Sequence, residues 1–251
     1  IRPHFSGRRV RMRKFIPCYL LGGLIAISWA ALPDHGPWDQ WDLAVFHLVN
    51  GWLGQARWWA DLVAVTNNRL FDLAVLSCMG LILSRCFWRA DEQGRRRLVA
   101  MGIVMLLGAL VINQFGHLLP VSRPSPTLTV ADALRVTQLS GIPTKDSSSD
   151  SFPGDHALFL MIFAGFALRH LPRWAGVTAL LMVPLFSAPR ILSGAHWLTD
   201  VYVGALSLTL LCLPLLLLTG LSDALIGWIA QRLPRLPGWQ WLAGKTPASQ
   251  Q

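Results

Sequence analysis

The sequence predicts an all-α integral membrane protein with six transmembrane helices, both termini in the cytoplasm, and its reactive side chains on the outer face. Three observations carry this expectation. Hydrophobic residues make up 53% of the chain and charged residues only 14%, against about 25% charged in a soluble domain. Six apolar runs approach the roughly 20 residues that a spanning helix needs. The basic residues fall between those runs, and sixteen of the 22 Lys and Arg lie on one side, which is a positive-inside pattern.

The runs are Phe15–Leu32, Leu70–Phe87, Leu98–Leu119, Phe152–Leu168, Trp174–Leu192 and Leu198–Leu221. The first contains Ser28-Trp29-Ala30, which resembles a small-x-small cleavage site. Its apolar stretch is longer than a signal-peptide core, so a retained anchor is expected. The fourth is the weakest, because Asp155 and His156 stand at its start and Arg169 ends it. With the N-terminus inside, Arg85, Arg89, Arg95, Arg169, Arg173 and Arg232 are among the cytoplasmic basic residues. Arg57, Arg69, Arg123, Arg135, Lys145 and Arg190 remain outside. An even number of spans returns the C-terminus to the cytoplasm. The net charge of +9 does not indicate nucleic acid, since the basic residues flank apolar runs as membrane anchors do.

The whole chain, 1–251, reads as a single membrane-embedded domain. Residues 33–69 hold Trp38, Trp41, Trp52, Trp58 and Trp59, with Leu43, Phe46, Val49 and Leu53 at helical spacing. That is the pattern of an outer interfacial segment. Residues 120–151 form a long polar outer loop, a type that is usually functional or disordered. The tail 222–251 is amphipathic, with Trp228, Trp239 and Trp241, and is expected on the inner surface. Cys18, Cys78, Cys86 and Cys212 sit in or at the ends of apolar runs and read as small buried hydrophobes. No CxxC pair offers a zinc framework.

Reactive side chains recur in three blocks: Ser122-Arg123-Pro124, then Ser151-Phe152-Pro153-Gly154-Asp155-His156, then Pro189-Arg190 followed by His196 and Asp200. Arginine forks grip phosphate oxygens. One histidine can attack phosphorus, the other can protonate a leaving oxygen, and a carboxylate can orient the attacker. Asp200 follows His196 by four residues, so both can share a helix face. Gly154 lets backbone approach a ligand closely, and the start of the fourth span can bind an anion. Asp155 has a plainer reading as a helix N-cap, and a lone arginine at a span end commonly snorkels to headgroups. Two arginines interleaved with two histidines weaken that plainer reading. A metal site of His117, His156 and His196 is conceivable, but no ligand spacing argues for one. A transporter reading is disfavoured, because transport sites tend to lie near the midplane.

These blocks resemble the type 2 phosphatidic acid phosphatase superfamily, over roughly residues 98–220. Its usual form is Lys-x6-Arg-Pro, Pro-Ser-Gly-His and Ser-Arg-x5-His-x3-Asp. Arg190-x5-His196-x3-Asp200 matches in full, with Pro189 in place of the serine. Pro153-Gly154-Asp155-His156 matches with Gly for Ser and Asp for Gly, and Arg123-Pro124 matches with Gly116 at the lysine position. Val65-Thr66-Asn67-Asn68-Arg69, Ser125-Pro126-Thr127-Leu128-Thr129 and Pro143-Thr144-Lys145-Asp146 are further similar to the inner-membrane lipid A phosphotransferases of that superfamily.

The resemblance implies a bacterial inner-membrane enzyme that needs neither cofactor nor metal. It also implies undecaprenyl diphosphate as donor, lipid A as acceptor, a periplasmic site and a phosphohistidine intermediate. It implies His196 as nucleophile, Asp200 as its orienting carboxylate and His156 as general acid. Arg123, Arg190, Gly154 and Asp155 would bind phosphate. The vacant lysine position calls for another cation: Lys145 is the expected one, with Arg69 and Asn68 as further candidates. A related lipid-diphosphate phosphatase, with water as acceptor, shares the same first half-reaction.

Overall fold

The computed structural model describes residues 15–233, whose regular elements are all helices, with no strand among the described residues. α1 (Phe15–Ala30) leads through a 3-10 turn into α2 (Pro37–Leu53) and α3 (Arg57–Thr66). α4 (Arg69–Trp88) and α5 (Glu92–His117) follow. The outer loop carries two short helices, α6 (Pro126–Thr129) and α7 (Val136–Ser140). α8 (Asp155–His170) and α9 (Arg173–Leu192) form the centre. A π-helical turn (Asp200–Ala205) runs into α10 (Leu206–Leu218), and α11 (Leu221–Arg232) closes the described chain.

Helix ends follow local chemistry. The Asn68 side chain caps α4 by accepting from the Leu70 amide at 2.8 Å, and Asp91 caps α5 by accepting from the Gly94 amide at 2.8 Å. These caps satisfy amides that have no intrahelical partner. Pro172 follows the end of α8, where a further helical turn would lack a donor. Gly220, at φ 86, permits the left-handed stop between α10 and α11.

Among the described residues, four helices are long and apolar enough to cross a membrane: α4, α5, α9 and the continuous Asp200–Leu218. Leu73, Leu76 and Leu81 of α4, Leu106, Leu107 and Val111 of α5, and Leu181 and Leu185 of α9 are exposed, as a lipid-facing surface requires. α1 in its described part and α8 are each 16 residues, about 24 Å of helix, and so fall short of the six full-length spans expected. For α8 the reason is its surroundings. Leu158, Leu160, Ile162, Phe163 and Phe166 are all buried, because α4, α5, α9 and α10 enclose it. A helix apolar on every side and walled by other helices does not take its length from the bilayer.

α8 and α9 meet backbone to backbone. A Cβ at Gly176 would stand 2.9 Å from the Leu168 Cα and 3.2 Å from its amide nitrogen. Ile226 and Ala230 of α11 pack into the main core against α5. The remainder of the expected tail, with Trp239 and Trp241, and the basic residues before Phe15 lie outside the described residues. The four cysteines are half-buried rather than buried, since their helices each turn one face outward.

The backbone contact at Gly176 gives the fold a direct test. Gly176→Ala is expected to force α8 and α9 apart and to destabilise the protein by about 1–3 kcal/mol, read as a lower Tm in detergent. An unchanged Tm would show that this pair is loosely packed.

Candidate active site

The outer loop, the starts of α4 and α8, the end of α9 and the π-helical turn meet at one end of the bundle. Arg85, Arg95, Arg169 and Arg173 stand at the other helix ends. After α9 the chain turns at Gly194, φ 73. A Cβ there would meet Thr127 Cγ2 at 2.6 Å, so glycine is what lets this turn close beneath the outer loop.

His196 follows the turn. Its Nδ1 lies 2.8 Å from the Ser151 carbonyl oxygen and 3.4 Å from Asp200 Oδ2. A carbonyl only accepts, which assigns the proton to Nδ1 and leaves the Nε2 lone pair free. Asp200 is fully buried. Its Oδ2 accepts from the Trp197 amide at 2.8 Å, while Oδ1 has no hydrogen-bond partner and faces Arg123 Nη1 at 3.8 Å. The carboxylate is therefore fixed beside the imidazole, able to balance positive charge on the ring.

Arg123 is held from several directions. Nη1 donates to Asp42 Oδ2 and to Thr199 Oγ1, each at 2.7 Å, and Nη2 donates to Asp39 Oδ1 at 3.0 Å. The guanidinium also lies 4.5 Å from the centre of the Trp197 ring, a cation–π distance. Asp42 in turn accepts from the Thr199 amide at 2.9 Å and from its hydroxyl at 2.5 Å. Burial pushes the Asp42 carboxyl up, against the Thr199 hydrogen bonds and the Arg123 charge. The tryptophan-rich segment thus supplies two carboxylates to the site.

Arg190 is buried at the end of α9. Nη1 donates to Asn67 Oδ1 at 2.7 Å and Nη2 to Asp72 Oδ1 at 2.5 Å. The same Asp72 oxygen lies 3.8 Å from His156 Nδ1. Asn67, fully buried, also donates from Nδ2 to the Lys145 carbonyl at 2.6 Å and to Ser193 Oγ at 2.8 Å. One amide therefore fixes the Arg190 guanidinium, the turn after α9 and the backbone of Lys145. The Lys145 side chain is exposed, and its charge acts on His156 together with that of Arg190. Asp146, the sequence neighbour of Lys145, is engaged elsewhere: its carboxylate accepts from Arg135 at 2.7 Å and from the Thr137 amide at 3.0 Å. Burial pushes the Asp146 carboxyl up, but those hydrogen bonds outweigh it and hold it below its usual value.

Several expected groups sit differently. The Gly154 amide donates to the Asp200 carbonyl at 3.0 Å, so it ties α8 to the π-helical turn rather than standing open to an anion. Asn68 spends its side chain on the α4 cap and on the Pro143 carbonyl at 2.6 Å. Arg69 is exposed at the start of α4. Asp155 Oδ2 lies 3.5 Å from His117 Nε2. At the vacant lysine position, a Cβ on Gly116 would meet Pro153 Cγ at 2.8 Å and Leu208 Cδ1 at 3.0 Å. The space a lysine would need is filled by the Pro153 ring. Among the described residues no group of three or more His, Cys, Asp or Glu is gathered for a metal ion.

Sequence reasoning missed Asp39, Asp42, Asn67, Asp72 and Thr199 as partners of the arginines. A signal existed for Asp72, since an aspartate in the first turn of an apolar span is costly unless used. Asp39 and Asp42, three apart on one helix face, offered a weaker one.

The chain matches the PAP2 superfamily over residues 97–223. It is 44% identical to the lipid A 1-diphosphate synthase of Escherichia coli (strain K12) over 216 residues, 86% of this chain and 91% of the relative. No solved structure matches the chain significantly.

Asn67 gives the site its sharpest test. Asn67→Ala removes the hydrogen bond that orients a charged guanidinium, a contact of about 1.5–3 kcal/mol. Turnover of a lipid phosphate substrate is expected to fall roughly tenfold or more, while the protein still inserts and purifies normally. Turnover within about twofold of wild type would show that Arg190 is positioned without Asn67.

Proposed function

We propose that this chain, which belongs to the PAP2 superfamily, is a phosphotransferase that moves the terminal phosphate of undecaprenyl diphosphate to lipid A. The products are undecaprenyl phosphate and a lipid A diphosphate. The observation that supports this most is the 44% identity to a lipid A 1-diphosphate synthase across 91% of that relative. The side-chain geometry supplies a mechanism.

His196 Nε2 attacks the terminal phosphorus. A nitrogen–phosphorus bond forms and the bond to the bridging oxygen breaks. Nδ1–H stays on the Ser151 carbonyl, and Asp200 balances the charge on the ring. His156 gives its proton to the departing undecaprenyl phosphate. Arg123, Arg190 and Lys145 offset charge on the transferring phosphoryl oxygens, with Lys145 serving where Gly116 cannot carry a side chain. A phosphate oxygen of lipid A then attacks phosphohistidine, and the bonding pair returns to Nε2.

The setting proposed is the bacterial inner membrane, crossed six times, with α1 and α8 as the shorter crossings. The excess of basic residues at the far helix ends supports an outward, periplasmic site.

The direct test incubates purified protein with lipid A and with undecaprenyl diphosphate labelled in its terminal phosphate. Label is expected in lipid A, and EDTA is expected to leave the rate unchanged. Label released only as free phosphate would identify a phosphatase instead. Lys145→Ala is expected to lower transfer at least about tenfold, and a rate within about twofold of wild type would remove Lys145 from the site.

A further inference from the structure

His156 stands among like charges. Arg190 from α9 and Lys145 from the outer loop bring positive charge to it, and Asp72 from α4 brings the negative one. Its sequence neighbour Asp155 turns instead toward His117, at 3.5 Å. A general acid must hold its proton until the leaving oxygen takes it, and beside two cations that proton needs a compensating carboxylate. Asp72 is placed for this. Its Oδ1 lies 3.8 Å from His156 Nδ1 and 2.5 Å from Arg190 Nη2. Its side chain is 40% exposed, so it can shift without unpacking the bundle.

We infer that Asp72 is the positioning residue of the general acid: it is shared with Arg190 in the empty site and turns to His156 when a donor phosphate takes the Arg190 fork. The inference rests on the phosphotransferase reading above. Phosphate oxygens replace the carboxylate on Arg190 Nη2, while Nη1 remains on Asn67. The freed carboxylate accepts from His156 Nδ1–H. That fixes the ring so that the Nε2 proton points away from Asp72, toward the bridging oxygen. The site thereby carries two carboxylate–histidine pairs, Asp200 with the nucleophile and Asp72 with the acid. Asp72 touches neither the phosphorus nor the leaving oxygen and acts through His156.

A double-mutant cycle separates this role from a merely structural one. Single-turnover phosphoenzyme formation from labelled undecaprenyl diphosphate is measured at saturating donor for wild type, Asp72→Asn, His156→Gln and the double variant. Asp72→Asn is expected to slow the step about tenfold or more, with Asp72→Glu retaining more of the rate because it keeps the charge. In the His156→Gln background the same Asp72→Asn change is expected to cost less than about twofold. An equal loss in both backgrounds would mean that Asp72 works only through Arg190. No loss in the wild-type background would remove Asp72 from the reaction. Either result overturns the inference while leaving the phosphotransferase reading intact. A wild type that forms no phosphoenzyme would overturn both.

Discussion

The site depends on finding anionic partners for two largely buried guanidinium groups. A charge taken from water without a partner is strongly destabilising, so Arg123 and Arg190 dictate what must surround them. Arg123 draws α2 toward the turn before the last span through Asp39 and Asp42. Arg190 draws the start of α4 toward the end of α9 through Asp72 and Asn67. The pairs span 81 to 123 residues of chain. Elements on the edge of the bundle are thereby fastened to the segment that runs from Arg190 to Asp200. Such pairs are a weak source of net stability; what they provide here is a fixed position for two guanidinium forks.

The same constraint explains what could be read from the sequence and what could not. Arg190, His196 and Asp200 lie within one short stretch, where spacing alone puts side chains on a shared face. Gly154 to His156 likewise announce a helix start. Partners such as Asp72 and Arg190, 118 residues apart, carry no local periodicity, because what joins them is the packing of α4 against α9. The apolar runs located the spans, but their ends moved with the chemistry of individual residues. α5 begins at Glu92, ahead of the apolar run, because Asp91 caps it and Arg95 to Arg97 are good helix formers. α8 begins late because Pro153 and Gly154 lie in the extended segment that packs against Gly204.

Gly116 shows how a departure from the common motif is accommodated. The volume that a lysine would occupy is taken by the Pro153 ring. That ring belongs to the segment that presents Ser151 to His196 and leads into His156. Filling the position with proline tightens the scaffold of both histidines and leaves a cation to come from elsewhere. The backbone of Lys145 is pinned by Asn67, and the neighbouring Asp146 is engaged by Arg135.

The central claim is that His196 carries the phosphoryl group between two lipids. The most direct measurement incubates the protein with undecaprenyl diphosphate in the absence of lipid A, quenches under alkaline conditions that preserve phosphohistidine, and maps the modified residue by mass spectrometry. The account predicts phosphate on the His196 imidazole, at Nε2, discharged when lipid A is added. Phosphate on His156, or transfer to lipid A without any phosphorylated histidine, would contradict it.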